Sequence, residues 1–301
     1  MEINLAIAER ARAGEALTVA ELDELAATDV LSLGMLADEV RRARVGDHVT
    51  FVRVHELQPA DAAVPDAAGE VRLGELPATL EAAVAAVRRG RELAGTKLLT
   101  AFSLADLVDR ATTAWGGLAP ALDALKAAGL DAIAEAPLDR LANAGEALDD
   151  CAKAGLPVRC LSFQKPVADD RATLLVNIRS LVTGRPGVTT LAPLPREQSI
   201  AVPTTGYDDV RMVALARLAL ASVPNIQVDW ALYGPKLAQV ALTFGANDID
   251  RVSCLDDESL GRRRTSVEDV KRNITAAGFT PVERPVDSPR GEASPLAQAK
   301  A

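Results

Sequence analysis

Residues 49–73, VTFVRVHELQPADAAVPDAAGEVRL, decide the fold. Both ends of this stretch, 49–54 and 70–73, are short and rich in Val, which is typical of β-strands. The intervening segment 55–69 contains two prolines, which disfavour a regular helix. Adjacent parallel strands need a connection of roughly a dozen residues or more. This linker is just long enough, so the sequence predicts two parallel strands joined without a helix.

Outside this stretch, short strands alternate with amphipathic helices, which is typical of a parallel sheet. Strands are predicted at 49–54, 70–73, 97–102, 131–134, 157–163, 188–193, 225–232 and 248–254. Helices are predicted at 77–94, 103–129 with a break at Gly116-Gly117, 138–154, 168–183, 206–222, 235–244 and 266–278. The predicted fold class is α/β, a (β/α)8 TIM-type parallel barrel whose first βα unit is shortened. An open doubly wound sheet is the alternative, although no GxGxxG motif follows any strand.

The chain divides into three predicted segments. Residues 1–48 form a helical N-terminal extension, in which Thr18 and Glu21 have capping-box spacing. Residues 49–284 form the barrel. Residues 285–301 are rich in Pro, Ser and Ala and form a disordered tail.

The composition predicts a soluble cytoplasmic protein. The 301 residues are 49% hydrophobic and carry a formal net charge of −9, which argues against nucleic acid as a partner. No apolar run is long enough to span a membrane, and the N-terminus lacks the apolar core of a signal peptide. We expect the three scattered cysteines, Cys151, Cys160 and Cys254, to be reduced thiols.

Several stretches resemble one branch of the radical SAM enzymes. They are HVTFVRV (48–54), GLDAI (129–133), PTTGYDDVRMVALARLAL (203–220), NIQVDWALYGPKLAQVALTFGANDID (225–250) and RTSVEDVKRNITAAGFTPVER (264–284). The branch serves menaquinone and deazaflavin synthesis and includes aminofutalosine synthase, dehypoxanthine futalosine cyclase and the FO synthase subunits. GPKLAQVALTFGANDID (234–250) is the most specific stretch. The resemblance implies a β/α barrel, a [4Fe–4S] cluster, SAM and a modified nucleoside as substrate.

Two elements of that chemistry are missing from the sequence. The branch holds its cluster with a CxxxCxxC motif after the first strand, but residues 55–70, HELQPADAAVPDAAGE, contain no cysteine. The branch also has a Gly-rich stretch that resembles a cradle for SAM, and residues 129–140 here read GLDAIAEAPLDR. We therefore predict no cluster and no SAM chemistry, and we infer that the first helix was lost with the cluster loop.

Ligands of such barrels bind at the carboxyl ends of the strands. Arg53 and His55 end the first strand, where His55 is a candidate base or polar contact, or simply a solvated histidine. Glu135 ends the fourth strand, where it could hold ribose hydroxyls or act as a base. An acid that favours the following helix N-terminus is the alternative.

The stretch PVRCLSFQK (157–165) contributes Arg159 and Gln164 as candidate ligand-binding residues. An inward-facing Arg159 would need a carboxylate partner or an anionic ligand. Strand alternation places Cys160 and Ser162 on the other face. Cys160 is interpreted as a small buried residue rather than a nucleophile, since no histidine is paired with it in the sequence.

Asp229, Tyr233 and Lys236 follow the seventh strand in VDWALYGPKLAQ. Free N–H groups after Gly234-Pro235, together with Lys236, could bind an anion, or the Gly-Pro pair could merely shape the turn. Two polar loops are further candidates, or ordinary solvated loops: Arg196, Glu197 and Gln198 after the sixth strand, and the basic cluster 261–266.

Three functions remain open. The first, which we favour, is a non-catalytic relative that binds an active paralogue, itself or a nucleoside-like intermediate of the futalosine route to menaquinone. The second is an enzyme that does polar chemistry in the old cavity. The third is a structural module with a filled barrel. Loss of one helix exposes apolar flanks of the first two strands, which must be covered by the loop, the N-terminal helices or another chain.

Overall fold

A computed structural model describes residues 3–166, 170–197, 204–256 and 266–284 of the chain. The predicted tail 285–301, Gln198 and residues 261–265 of the basic cluster lie outside these ranges. The described strands are β1 (His48–Glu56), β2 (Glu70–Leu73), β3 (Leu98–Ser103), β4 (Ala132–Pro137), β5 (Leu161–Phe163), β6 (Thr190–Pro195), β7 (Asn225–Asp229), β8 (Asp248–Ser253) and β9 (Thr280–Glu283).

Strands β1 to β8 form a closed parallel barrel. Each strand pairs with the next along the chain, and β8 and β2 both pair with β1 to complete the circle. The predicted (β/α)8 TIM-type fold is confirmed. β9 is a ninth, unpredicted strand that pairs with residues 48–51 of β1, whereas β2 pairs with residues 54–56. The two short strands therefore follow one another along the same edge of β1.

The connection between β1 and β2 contains no helix, as predicted. Asp61 N–H donates to Gln58 O, which closes a turn with Pro59 at its second position. Ala68 is fully buried, and so is Val71 of β2. The linker and β9 thus lie along the flanks of β1 and β2 within the chain itself.

The helices follow the predicted order with shifted ends. They are α1 (Leu5–Ala13), α2 (Val19–Ala26), α3 (Val30–Val45), α4 (Leu80–Ala94), α5 (Leu104–Arg110), α6 (Leu118–Ala127), α7 (Ala144–Lys153), α8 (Arg171–Val182), α9 (Gly206–Ala219), α10 (Trp230–Leu242) and α11 (Val267–Ala276). A π-helical turn follows α5 and Gly116-Gly117 breaks the long predicted helix. The described part of the chain has no helix with the length and apolarity needed to cross a bilayer.

Two predicted strands were too long. β7 ends at Asp229 because its carboxylate caps α10 by accepting from Leu232 N, so Trp230 is already helical. Gly234, with φ of 70°, then kinks α10 before Pro235. β5 begins only at Leu161, and residues 157–160 approach β4 irregularly, with Arg159 N–H donating to Ile133 O. Simple strand alternation therefore does not apply to Arg159.

The N-terminal helices pack onto the barrel. Thr18 and Glu21 form the predicted capping box of α2. The guanidinium of Arg41 in α3 lies 3.9 Å from the centre of the Phe279 ring, and its Nε donates to Ala246 O at 3.2 Å. Gly34 in the same helix lies against the Phe244 ring. α3 is thereby fixed to the segments before β8 and β9.

Candidate functional site

The barrel interior is lined by charged and polar side chains rather than by the branched apolar residues that usually fill such barrels. Arg72 of β2 binds Asp250 of β8 through two contacts of 3.0 and 3.1 Å, and Glu70 through Oε1 at 2.7 Å. Thr100 of β3 also donates to Glu70, at 2.7 Å. Since β1 separates β2 from β8, the Arg72–Asp250 contact reaches across the inside of the barrel.

The ion pairs with Arg72 decide the charge of both carboxyl groups. Burial would raise the pKa of Asp250, but Arg72 outweighs burial and holds that pKa well below its ordinary value. Burial likewise opposes ionisation of Glu70, and Arg72 and Arg159 nevertheless lower its pKa. Both groups are therefore carboxylates at neutral pH.

A second group surrounds Asp248. Its Oδ1 accepts from Thr50 at 2.5 Å and from Arg284 at 2.7 Å, and its Oδ2 accepts from Gln227 at 2.6 Å. Gln227 Oε1 and Arg284 Nε are buried without a partner among the described residues, and so is the Ser162 hydroxyl. A buried polar atom without a hydrogen bond costs stability. These three atoms are therefore available to bind a ligand or an ordered water.

A third group lies at the carboxyl ends of β4, β6 and β7. Arg196 Nε is 3.0 Å from Glu135 Oε2, and Arg196 Nη1 is 3.0 Å from Asp229 Oδ2. Burial raises the pKa of Asp229, and Arg196 and Arg251 oppose that rise. The structure thus brings together two predicted residues, Glu135 and Asp229, and bridges them with Arg196.

A β-bulge carries a second arginine to this group. Arg251 has φ of 55°, and the pairing of β8 with β1 shifts register beside it. Arg251 contacts Glu56 at 2.6 Å and Asp229 at 3.6 Å. Left-handed backbone at a non-glycine residue is strained and is concentrated at functional sites.

Among the described residues, Arg159 has no ion-pair partner in the barrel interior. It is half-buried, and no carboxylate in the described ranges lies within ion-pair distance of its guanidinium. Burial lowers the pKa of Arg159, and the positive charges of Arg284 and Arg72 lower it further. The carboxylates of Glu70 and Asp248 oppose this shift. Arg159 is therefore near both acidic groups but bound to neither.

Arg53 and His55 lie away from this interior, whereas Tyr233 lies beside the group around Arg196. Arg53 and His55 project from the face of β1 opposite to Thr50 and contact Glu283 and Asp61. Tyr233 donates to Pro195 O at 2.6 Å, and burial raises the pKa of its hydroxyl.

Two more predicted residues lie at the surface. Lys236 is exposed. Gln164 lines an open cleft of about 760 Å³ that also contains Asp139, Arg140 and Glu197, and its side chain donates to Glu197 at 2.8 Å.

Sequence reasoning missed the charged residues in the strand centres. Glu70 and Arg72 alternate in EVRL, and Asp248 and Asp250 alternate in DID. A two-residue period of charges within a buried strand was the available signal. It was overlooked because only strand ends were considered.

The cysteines do not fit an iron–sulfur cluster. Cys151 lies in α7, Cys160 precedes β5 and Cys254 follows β8, and all three are buried free thiols. Burial raises the pKa of both Cys151 and Cys160 to about 12, whereas cluster ligands are thiolates. Within the described residues, no cluster of His, Cys, Asp and Glu is arranged to hold a metal.

Two solved enzyme structures share the architecture of this barrel. Methylornithine synthase superposes with a TM-score of 0.66 at 14% identity, over 92% of this chain and 97% of that one. A maturase of the [FeFe]-hydrogenase superposes with a TM-score of 0.66 at 13% identity, over 98% of this chain and 78% of that one. These likenesses establish the architecture alone.

Sequence comparison shows which enzymes the chain resembles. Residues 189–288 match the family model for the CofH/MqnC C-terminal region. The 5-amino-6-(D-ribitylamino)uracil–L-tyrosine 4-hydroxyphenyl transferase 1 of Methanosarcina barkeri is 32% identical over 44% of this chain and 40% of its own length. The aminodeoxyfutalosine synthase of Thermus thermophilus is 40% identical over 27% of this chain and 23% of its own length. The resemblance to the menaquinone and deazaflavin branch of the radical SAM enzymes is confirmed, and the matches span less than half the length of these relatives.

Proposed function

We propose that this chain is a cluster-free relative of the radical SAM barrels that binds an anionic, nucleoside-like molecule in its interior without radical chemistry. The pathway would be menaquinone synthesis by the futalosine route or a neighbouring deazaflavin pathway, and the location would be the cytoplasm. The names of the relatives support this substrate class, since one is an aminodeoxyfutalosine synthase and others act on a ribitylaminouracil.

The observation that carries the proposal is the unpaired Arg159 inside a charged barrel. An uncompensated buried cation is destabilising unless a ligand pairs with it. The two carboxylates that interact with it are already engaged: Glu70 by Arg72, and Asp248 by Arg284. A carboxylate or phosphate on the ligand would complete the ion pair, while Gln227 Oε1 offers an acceptor for a ligand hydroxyl or amine.

Thermal unfolding of the full chain tests the binding. The probes are adenosine 5′-monophosphate, adenosine and inorganic phosphate, with sodium chloride keeping ionic strength constant. We expect adenosine 5′-monophosphate to raise Tm increasingly with concentration, and adenosine to do so less. Arg159→Met should abolish the effect, whereas Arg140→Gln, which removes an exposed ion-paired arginine, should retain it. Equal stabilisation of the Arg159 variant would refute the proposed site.

The non-catalytic part of the proposal has its own test. Anaerobic reconstitution with iron and sulfide should leave no stable chromophore on the protein, and SAM added with a reductant should remain intact. A stoichiometric cluster that cleaves SAM would show that radical chemistry survives.

Association with an active paralogue or with a second copy is a further part of the proposal. Leu31 and Met35 lie one turn apart on α3, and both are largely exposed, at 66% and 75%. Native mass spectrometry of protein purified gently from its own cells tests this part. A second polypeptide at fixed stoichiometry would support it, and a bare monomer would count against it.

Polar catalysis is the second candidate function. It is favoured by the Glu135–Arg196–Asp229 group, which places two carboxylates and a cation at the strand ends. The test is turnover of a bound modified nucleoside by the wild-type chain and by Glu135→Gln. Binding without turnover would leave the non-catalytic proposal standing.

A further inference from the structure

Cys254, His55 and Asp61 form a chain of contacts outside the barrel interior. The Sγ atom of Cys254 lies 3.7 Å from Nδ1 of His55, and Nε2 of His55 lies 2.9 Å from Oδ2 of Asp61. The three residues come from the end of β8, the end of β1 and the helix-free linker. A thiol, an imidazole and a carboxylate in this order form the arrangement that activates nucleophilic cysteines.

The linker holds the carboxylate in place. Asp61 Oδ2 also accepts from Gln58 N at 2.8 Å, within the turn that Pro59 helps to form. Arg89 of α4 donates to the carbonyl oxygens of Pro59 and Asp61. The Gln58 N–H lowers the pKa of Asp61, so the carboxylate is ionised and accepts the Nε2–H of the histidine. Nδ1 is then left as an acceptor facing the thiol.

The surroundings of Cys254 differ from those of the other two cysteines. It is 8% exposed, against 1% for Cys151 and 4% for Cys160, and the next residue, Leu255, is 55% exposed. Burial raises the pKa of the Cys254 thiol, and the positive charges of Arg53 and Lys97 oppose that rise. Burial thus favours the protonated thiol, and the imidazole beside it is placed to accept the thiol proton as a general base.

We propose that Cys254, His55 and Asp61 form a base-assisted nucleophilic site that accepts an acyl group from an activated ester or thioester. Sγ bonds to the acyl carbon as the bond from that carbon to its leaving oxygen or sulfur breaks. The thiol proton passes to Nδ1 of His55 and then to the leaving group. Water, deprotonated by the same imidazole, releases the acid and restores the thiol. This site is independent of the barrel interior.

The first test uses the wild-type chain and follows alkylation of each cysteine by chloroacetamide with peptide mass mapping. Base assistance predicts that Cys254 already reacts at neutral pH, below the range in which ordinary thiols ionise. An unassisted thiol with a raised pKa would instead react faster only above about pH 8.5. Cys151 and Cys160 serve as internal controls and should react at least tenfold more slowly.

Variants complete the test. His55→Gln should slow alkylation of Cys254 about a hundredfold, and Asp61→Asn by a smaller factor. His48→Gln, which changes the other histidine of β1, should leave the rate unchanged. With p-nitrophenyl acetate, the wild type should release one burst of nitrophenolate and carry an acetyl group on Cys254, and Cys254→Ser should not. Alkylation of Cys254 only in the pH range of ordinary thiol ionisation, or a wild type without acetylation, would overturn the proposal even if the His55 variant failed to fold.

Discussion

Arg196 and Asp229 join the ends of β6 and β7, with Nη1 of the arginine 3.0 Å from Oδ2 of the aspartate. Asp229 is fully buried and also caps α10. One carboxylate therefore ends a strand, starts a helix and neutralises an interior cation. The charged interior of the barrel depends on such shared contacts, since the Asp229 side chain has no access to solvent.

Removal of Arg196 should be strongly destabilising. In Arg196→Gln, Asp229 loses its nearest counter-charge, and its pKa, already raised by burial, rises further. We expect a loss of about 3–5 kcal/mol in the free energy of unfolding at pH 7, measured in denaturant. An acid with a raised folded-state pKa costs stability above its unfolded pKa of about 3.9, so the loss should shrink as pH falls toward that value.

Arg140→Gln is the matched control for this prediction. Arg140 is exposed and pairs with Asp106 at 2.7 Å on the surface. Exposed pairs contribute about 0–1 kcal/mol, so this variant should unfold almost like the wild type. Equal losses in the two variants would show that Arg196 is not part of a buried network.

Asp250 should support stability only above the acid range. Its folded-state pKa is lowered by Arg72, so its contribution is complete above the unfolded pKa of about 3.9 and disappears as pH falls toward the folded value. In Asp250→Asn we expect a deficit of about 3 kcal/mol at pH 7 that narrows below about pH 4. Urea unfolding from pH 2 to 7 measures it, with exposed Asp23→Asn as the control that should show no deficit.

The close packing of α3 against the barrel predicts that a larger residue at Gly34 lowers stability. A Cβ added at Gly34 would lie 2.6 Å from the Phe244 ring, so Gly34→Ala should lower the free energy of unfolding by about 1–3 kcal/mol. Gly206 begins α9 with open space around it, and Gly206→Ala should be neutral or stabilising by about 0.4–1 kcal/mol. A fall in Tm for both variants, or for neither, would contradict the packing of α3.

The barrel could be predicted from the sequence because each of its elements depends on residues that are close together in the chain. Apolar strands, capped helices and the helix-free linker can each be read from a few neighbouring residues. β9 was missed because TPVE (280–283) carries no strand signal of its own and becomes a strand only by occupying the edge of β1 that short β2 leaves free.

The candidate site was predicted less well because it depends on distant residues. Glu135 and Asp229 were found near strand ends and Arg159 within the predicted strand 157–163. Arg72, Asp250 and Arg284, in contrast, come together only when the sheet closes. The contact between Cys254 and His55 joins residues 199 positions apart and requires β8 to pair with β1. A histidine partner was considered only for Cys160, whose thiol donates to Leu161 O.

Replacement of Arg159 by an apolar residue should stabilise the ligand-free protein. Burial lowers the pKa of this guanidinium despite nearby Glu70 and Asp248, so the surroundings disfavour the charged form on balance. Arg159→Met retains a long side chain and removes the uncompensated charge, which should raise the free energy of unfolding by about 1–2 kcal/mol. Denaturant unfolding without added anions measures the gain. A loss of stability would show that Arg159 is already paired in the free protein, and the anion site inferred from it would then have to be abandoned.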